Sequence, residues 1–270
     1  MPTTQVYTWD QFTAAYTAAQ GTSSDPHVIE IMADLDAASS ITREINGADR
    51  YKIINGNYHN ISNLATATTF SDSILYCNHV TYNKCNFINV YRNNNYPVFY
   101  ASSNYIPTFN DCVIQGQGSS ICAADVASNN TGYGNYNRCV ITWHQVGSVR
   151  TGSLLGNATL RYCYLDLDII TTTFDDTDIG DMYSSYLKGS IRGDVGSRTR
   201  GIAWVCSDSV INIDTDITYP RIANSTAMQT VYNNDKIPAP TSIVTNILGV
   251  TDAQLKDAAY LASIGFNIIV

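Results

Sequence analysis

Along most of the chain apolar and polar positions alternate in short runs, as in CNFINV (85–90), CVITWH (139–144) and YLDLDI (164–169). A period of two predicts β-strands that turn one face toward a core. Asn-, Gly- and Ser-rich stretches separate the runs, as turn-forming residues do. The two ends follow a different period. In TWDQFTAAYTAAQG (8–21), Thr8 and Gln11 are spaced as a capping box, Phe12, Ala15, Tyr16 and Ala19 fall on one helix face, and Gly21 marks the stop. TDAQLKDAAYLASIGFNIIV (251–270) repeats the device: Thr251 and Gln254 cap, Leu255, Ala258, Ala259 and Ala262 share a face, and Gly265 ends the helix.

The strand runs recur. TYNKCNFINV (81–90), TFNDCVIQGQ (108–117), NYNRCVITWH (135–144) and LRYCYLDLDI (160–169) place Cys85, Cys112, Cys139 and Cys163 at intervals of 27, 27 and 24 residues. In the same register, Ile61 lies 24 residues before Cys85, Leu187 lies 24 after Cys163, and Ser209 lies 22 further on. A second series of short apolar segments (SILYCN, PVFYAS, SICAAD, GSLLGN, IAWVCS) precedes these strands at roughly similar intervals. Repeats of about 22–27 residues built from short strands and polar corners predict an all-β fold, a single-stranded right-handed parallel β-helix. Equivalent positions of successive coils then stack about 4.8 Å apart. Ile61, Cys85, Cys112, Cys139, Cys163 and Leu187 are read as one internal ladder, with cysteine packing as a small hydrophobe. Asn at the corners tolerates left-handed backbone and can bond to neighbouring coils.

Zinc sites need ligand pairs two to five residues apart, and the chain has no CxxC or HxxxH pair, so no metal site is assigned to the cysteines. Three segments result: 1–26 as an N-terminal cap with a helix, 27–218 as the β-helix, and 219–270 as an extended arm with a terminal helix. The arm reading rests on Pro220, Pro238 and Pro240 and on the lack of a coil-like repeat there.

Composition narrows the function. Charged residues make up 14% of the chain and tyrosine is frequent, with 19 copies, a profile of polar but weakly charged surfaces. A net charge of -8 argues against the phosphate contacts that clustered Lys and Arg make, so no nucleic-acid partner is expected. No apolar run reaches the ~18 residues of a membrane span, and the opening MPTTQVYTWDQF lacks the basic and apolar regions of a signal peptide. The expectation is synthesis in a host cytoplasm without a signal peptide, and no membrane partner. Seven cysteines, an odd number, read as reduced and buried.

The helix-then-strand opening and the coils over roughly 5–218 resemble the pectate-lyase-like parallel β-helix superfamily, particularly its short members in bacteriophages and prophages. The closing LKDAAYLASIGFNIIV resembles a C-terminal segment of phage and prophage virion proteins of gut bacteria. The resemblance implies a virion-surface protein, either a head decoration or fibre or a tail fibre or spike component. It also implies a homo-oligomer, with a trimer favoured, and contact with other virion proteins.

Enzymes of that superfamily use paired carboxylates, or calcium with a basic residue. FDDTDIGDMY (174–183) brings Asp175, Asp176, Asp178 and Asp181 within seven residues, in a pattern that partly matches a calcium loop. It lacks the further ligands of an EF-hand, and a solvated corner loop is the alternative. Asp166 and Asp168 in LDLDII share a strand face and form a candidate ion or glycan site. The GHG motif with paired aspartates of polygalacturonase-like hydrolases is missing, and the four histidines suggest no Ser–His–Asp or Cys–His arrangement. No catalytic residue is nominated, no cofactor is implied beyond candidate calcium, and the reading leans away from an enzyme. Tyr96, Tyr100, Tyr105, Tyr133 and Tyr136 cluster with Asn and Ser, a composition that suits solenoid packing, a protein interface or glycan stacking. The leading expectation is a non-enzymatic structural or decoration protein; the alternatives are a module for host-surface glycan and a tailspike-type depolymerase.

Overall fold

The computed structural model describes residues 1–37, 50–64, 75–91, 98–101, 105–118, 121–124, 133–145, 155–171, 177–193, 199–215, 219–222, 229–237 and 246–266. The chain winds into a right-handed parallel β-solenoid with two ten-stranded sheets and a three-stranded one. One coil runs through Thr108–Asn110 in the first sheet, Val113–Gly118 in the second and Cys122–Ala124 in the third, and the next begins with Tyr133–Asn137 in the first. Paired residues 27 apart, such as Phe109 with Tyr136 and Ile114 with Ile141, set the middle coils. Shorter coils follow, with Leu165 paired to Leu187.

The passage from first to second sheet takes two residues, and both have a physical task. The first is left-handed: Lys84, Asp111, Arg138, Tyr162, Ser184 and Asp208 have φ between +46° and +54°. The second is the ladder residue. Its carbonyl accepts the amide of the next coil: Val113 N donates to Cys85 O, Val140 N to Cys112 O, Tyr164 N to Cys139 O and Tyr186 N to Cys163 O, at 2.9–3.0 Å. The four cysteines therefore stack as expected, and all are buried.

Two of their neighbours differ from the expectation. The ladder continues through Ser185 and, as expected, Ser209, whose carbonyls accept from Val210 N and Val231 N. Ile61 pairs with Phe87, and Leu187 pairs with Leu165, so both lie two positions past the ladder slot. Residues two apart on a strand point the same way. Both are buried, and an apolar pattern alone cannot detect a slip of two.

The slot also wants more than a small apolar group. Cys112 Sγ donates to Tyr82 O at 3.5 Å and Asn110 O at 3.3 Å, and Cys139 Sγ repeats this with Phe109 O and Asn137 O at 3.3 and 3.4 Å. Ser185 Oγ makes the equivalent bonds to Leu160 O and Tyr183 O. Each of these side chains is a small donor that adds a second bond at a corner carbonyl already accepting a backbone amide: Asn110 O from Lys84 N, Asn137 O from Asp111 N and Tyr183 O from Tyr162 N.

Inside, Tyr82, Phe109 and Tyr136 form a stacked aromatic column with centroids 5.1 and 4.9 Å apart, close to the rung spacing. Leu160, Met182 and Cys206 continue it. On the outer side of the same strands Asn55, Asn83, Asn110 and Asn137 hold one another through Nδ2-to-Oδ1 bonds of 2.8–3.0 Å. Asn83, Asn110 and Asn137 directly precede a left-handed residue, and elsewhere Asn57, Asn63, Asn89 and Asn246 take left-handed backbone themselves, as expected of asparagine.

At the N-terminus Thr3–Val6 pairs with His27–Ile31 and adds an edge strand ahead of the predicted helix. The helix α1 (Trp9–Ala18) is capped by Thr8, whose side chain accepts from Gln11 N, while Gln11 Oε1 accepts from Tyr7 N at 2.8 Å. Its Trp9, Phe12 and Tyr16 are buried against the solenoid core, and the Tyr16 hydroxyl donates to Tyr76 O at 2.6 Å. Gly21 lies beyond the helix end and is needed for packing, since a Cβ there would fall 2.1 Å from Tyr51 O.

The segment expected as an extended arm instead continues the solenoid in its described parts. Tyr219–Ile222 is the last strand of the first sheet, and Thr230–Asn233 and Ile247–Val250 are the last two of the second. Pro220 fits because its strand is an edge strand, where a missing N–H breaks no ladder. The terminal helix is two short helices, α2 (Asp252–Leu255) and α3 (Ala258–Ser263), because Asp257 caps a second start. Thr251 and Gln254 form the capping box, and Gly265 takes φ +90°. Leu255 is buried as expected, but Ala258, Ala259 and Ala262 are exposed, and Leu261 and Phe266 are the other buried anchors.

Candidate functional site

Odd-numbered steps after the ladder slot point outward from the second sheet, so its outer face is ruled into columns along the solenoid axis. The column nearest the corner carries Val113, Val140, Tyr164, Tyr186, Val210 and Val231. Two positions further stand Thr142, Asp166, Lys188 and Asn212, and two beyond those Tyr91, Gln117, His144, Asp168, Ser190 and Asp214.

A trough of about 420 Å³ opens on the middle coils of this face, lined by Tyr91, Gln115, Gln117, His144, Asp166 and Asp168 among others, with Trp143 and Val90 beneath. Its floor is fixed by packing. Trp143 is buried and donates its indole N–H to Gly118 O at 3.2 Å. Gly116 lets the Val90 strand and Trp143 come close, since a Cβ there would stand 2.2 Å from Val90 O and 3.0 Å from Trp143 Cζ3.

The polar groups hold one another across rungs. His144 Nδ1 lies 2.8 Å from Asp168, Ser190 Oγ donates to Asp168, and Lys188 Nζ lies 2.9 Å from Asp166. Lys188 also sits 5.4 Å from the centre of the Tyr164 ring, and Tyr164 with Asp166 beside it pushes its ammonium above the ordinary value. About half of the His144 and Asp168 side chains is exposed, 51% and 47%, so both remain available to a ligand. In a nucleophilic triad the histidine stands between hydroxyl and carboxylate; here Asp168 stands between His144 and Ser190.

The predicted acidic residues that the structure describes fall on two sheets. Asp166 and Asp168 belong to the trough. Asp181 lies on the first sheet within the strand Thr177–Tyr183, where burial raises its carboxyl above the ordinary value against the opposing effect of Arg161. Asp178 is in that same strand, so residues 177–181 form no corner loop, and its side chain lies outside the described residues. Asp175 and Asp176 also lie outside them. Among the described residues no group of three or more His, Cys, Asp or Glu side chains could hold a metal ion.

The tyrosines divide too. Tyr136 is fully buried between coils, with burial pushing its phenol well up, and it offers nothing to a ligand. Its strand alternates N-Y-N, and the asparagines take the outer side. Tyr100 tilts against Tyr76 at 5.1 Å, and Tyr105 packs on His79 at 3.9 Å, so both serve coil stacking. Tyr96 and the Tyr133 side chain lie outside the described residues. Sequence reasoning missed His144, Gln115 and Gln117 because their neighbours come from other coils, 22 to 27 residues away.

A second depression, about 550 Å³, runs along the corner between the sheets and is lined by Glu30, Asn57, Lys84, Asp111, Arg138 and the asparagine ladder. Arg138 grips Asp111 through two bonds of 2.6 and 2.8 Å and holds its carboxyl below the usual range. These groups satisfy one another, and the depression follows from the corner architecture.

Among the described residues no helix is long and apolar enough to cross a membrane. Compared with protein-family models, curated proteins and solved structures, the chain matches none.

Proposed function

We propose that the chain is a non-enzymatic display and binding module: a stiff β-solenoid that presents the outer face of its second sheet to a surface saccharide, carried on a bacteriophage-like particle. The particle rests on the resemblance of coils and C-terminal segment to virion proteins. The observation that carries the binding role is the trough, where amide, imidazole and carboxylate groups stand in straight columns beside Tyr91 over a Trp143 floor. Such a mixture of planar donors, acceptors and ring edges suits hydroxyl-rich ligands. The columns repeat about every 4.8 Å, close to the length of one hexose, so successive coils can meet successive sugar units.

Hydrolysis would require one carboxylic acid beside one carboxylate. Here both carboxyl groups face donors, Lys188 at Asp166 and His144 with Ser190 at Asp168, an arrangement that favours binding over cleavage. The test is a glycan array probed with the full chain, followed by titration of retained oligosaccharides and product analysis. Retention without cleavage, weakened at least tenfold by His144→Ala, is the expected result. No retained saccharide, or the appearance of shortened products, overturns the proposal.

A further inference from the structure

The helices α2 and α3 lie on the outer face of the second sheet. Leu255, Leu261 and Phe266 bury Val210 and Val231, with Leu248 packed alongside, in a cluster separate from the solenoid interior. The covered residues are the end of the corner-side column, and that column does not stop where the helices do. It passes to Tyr186, which still packs against the cluster, then to Tyr164, stacked on Tyr186 at 5.5 Å, then to Val140 and Val113. Val140 is 41% exposed, an unusual state for a strand valine. Tyr162, left-handed at the adjoining corner, is 66% exposed. The next coil replaces valine with Asn86 and ends the apolar stretch.

One face therefore carries a protrusion, the helix pair, beside an open stretch of the same apolar column, Val113 to Tyr164, about 10 Å long over two rung spacings. The outward side of the protrusion carries Ala253, Ala258, Ala259 and Ala262, small residues that permit close approach, together with Lys256, Asp257 and Ser263. Helix α3, six residues, is about 9 Å long and fits within the open stretch. A protrusion and a matching open stretch on one face are self-complementary under a two-fold axis.

We propose that this face is a dimer interface: in an antiparallel pair each copy seats its α2–α3 on the open Val113–Val140–Tyr164 column of the other. The occupant is a second copy because the column is continuous with the surface that this same helix pair already covers in its own chain. Asp214, in the outermost column beside the helices, keeps 64% of its side chain exposed. Helices seated in the same way leave the Gln117–His144–Asp168 column open and wall the trough on its corner side.

The experiment is light scattering on the full chain over a range of concentrations, with Val140→Glu and Ala259→Glu as separate variants and thermal melting as the folding check. A two-chain mass is expected, with each variant raising the dissociation constant at least tenfold and leaving the melting temperature within a few degrees. Both substitutions fall at exposed positions, and Ala259→Glu decides alone should Val140→Glu fail to fold. A one-chain mass for the unaltered protein, a three-chain mass, or a two-chain mass that a folded variant leaves unchanged overturns the proposal.

Discussion

The corner ladder is written in two ways. Over the middle coils it is cysteine, at 85, 112, 139 and 163, and over the later coils it is serine, at 185 and 209. The backbone geometry is the same in both halves, with a left-handed residue before the slot and an inter-coil amide bond after it. Cysteine and serine share small size and a donor hydrogen, and they differ in polarity and in affinity for soft metals. Their exchange along one ladder shows what the slot selects: a compact donor that reaches the corner carbonyls. The repeated cysteine is thus a solution to corner packing. Thr230, the next residue of the series, marks the limit, because its buried hydroxyl has no hydrogen-bond partner among the described residues.

The sharpest way to break this comparison is through the interior. The cysteine half stacks the rings of Tyr82, Phe109 and Tyr136 before Leu160, where the serine half stacks Met182 and Cys206. Phe109→Ala should cost about 3–5 kcal/mol in denaturant unfolding, and Met182→Ala about 2–5 kcal/mol. Equal, small losses at both would mean the columns do not carry the fold.

At the ladder itself Ser185→Ala removes a hydroxyl that donates to two carbonyls and accepts from Cys163 N at 3.0 Å. A loss of about 1–3 kcal/mol is expected by chemical denaturation. Cys139→Ser keeps the donor and should change stability by less than about 1 kcal/mol. Should Cys139→Ser cost as much as Ser185→Ala, the donor account of the slot fails. Thr230→Val runs the other way: it removes an unpaired buried hydroxyl at constant shape and should stabilise by about 1 kcal/mol.

The smallest effect is one of pH. The hydrogen bond with Cys112, together with burial, pushes the Cys139 thiol from its ordinary 9.0 up to about 12. Burial likewise raises Cys112 and Cys206. The unfolded chain releases these protons first as pH rises. Stability from the raised thiols is therefore complete below about 9 and declines from there to about 12. Melting temperatures that are flat across that window would contradict it.

Much of the fold was legible because a solenoid repeats its chemistry. Three intervals between cysteines sufficed to define the coil, and Thr8 and Thr251 announced their helices. What escaped was whatever depends on register or on contacts between coils. Ile61 and Leu187 were displaced by two because inward positions two apart look alike. Tyr136 was grouped with surface tyrosines because NYN gives no sign of which side faces in. Residues 219–250 seemed unlike the coils because edge strands tolerate proline and the last coils are short. The trough was half visible: Asp166 and Asp168 could be paired along their own strand, but His144 and Ser190 reach them only through the stacking of coils.

The most direct test of the binding role is calorimetric titration of the full chain with an array-selected oligosaccharide, set beside the variants His144→Ala and Asp181→Asn. The two substitutions act on different sheets, one in the trough and one away from it. At least tenfold weaker binding with His144→Ala and unchanged binding with Asp181→Asn is the predicted result. Unchanged affinity with His144→Ala, or equal loss in both, would place the ligand elsewhere and contradict the assignment of this face.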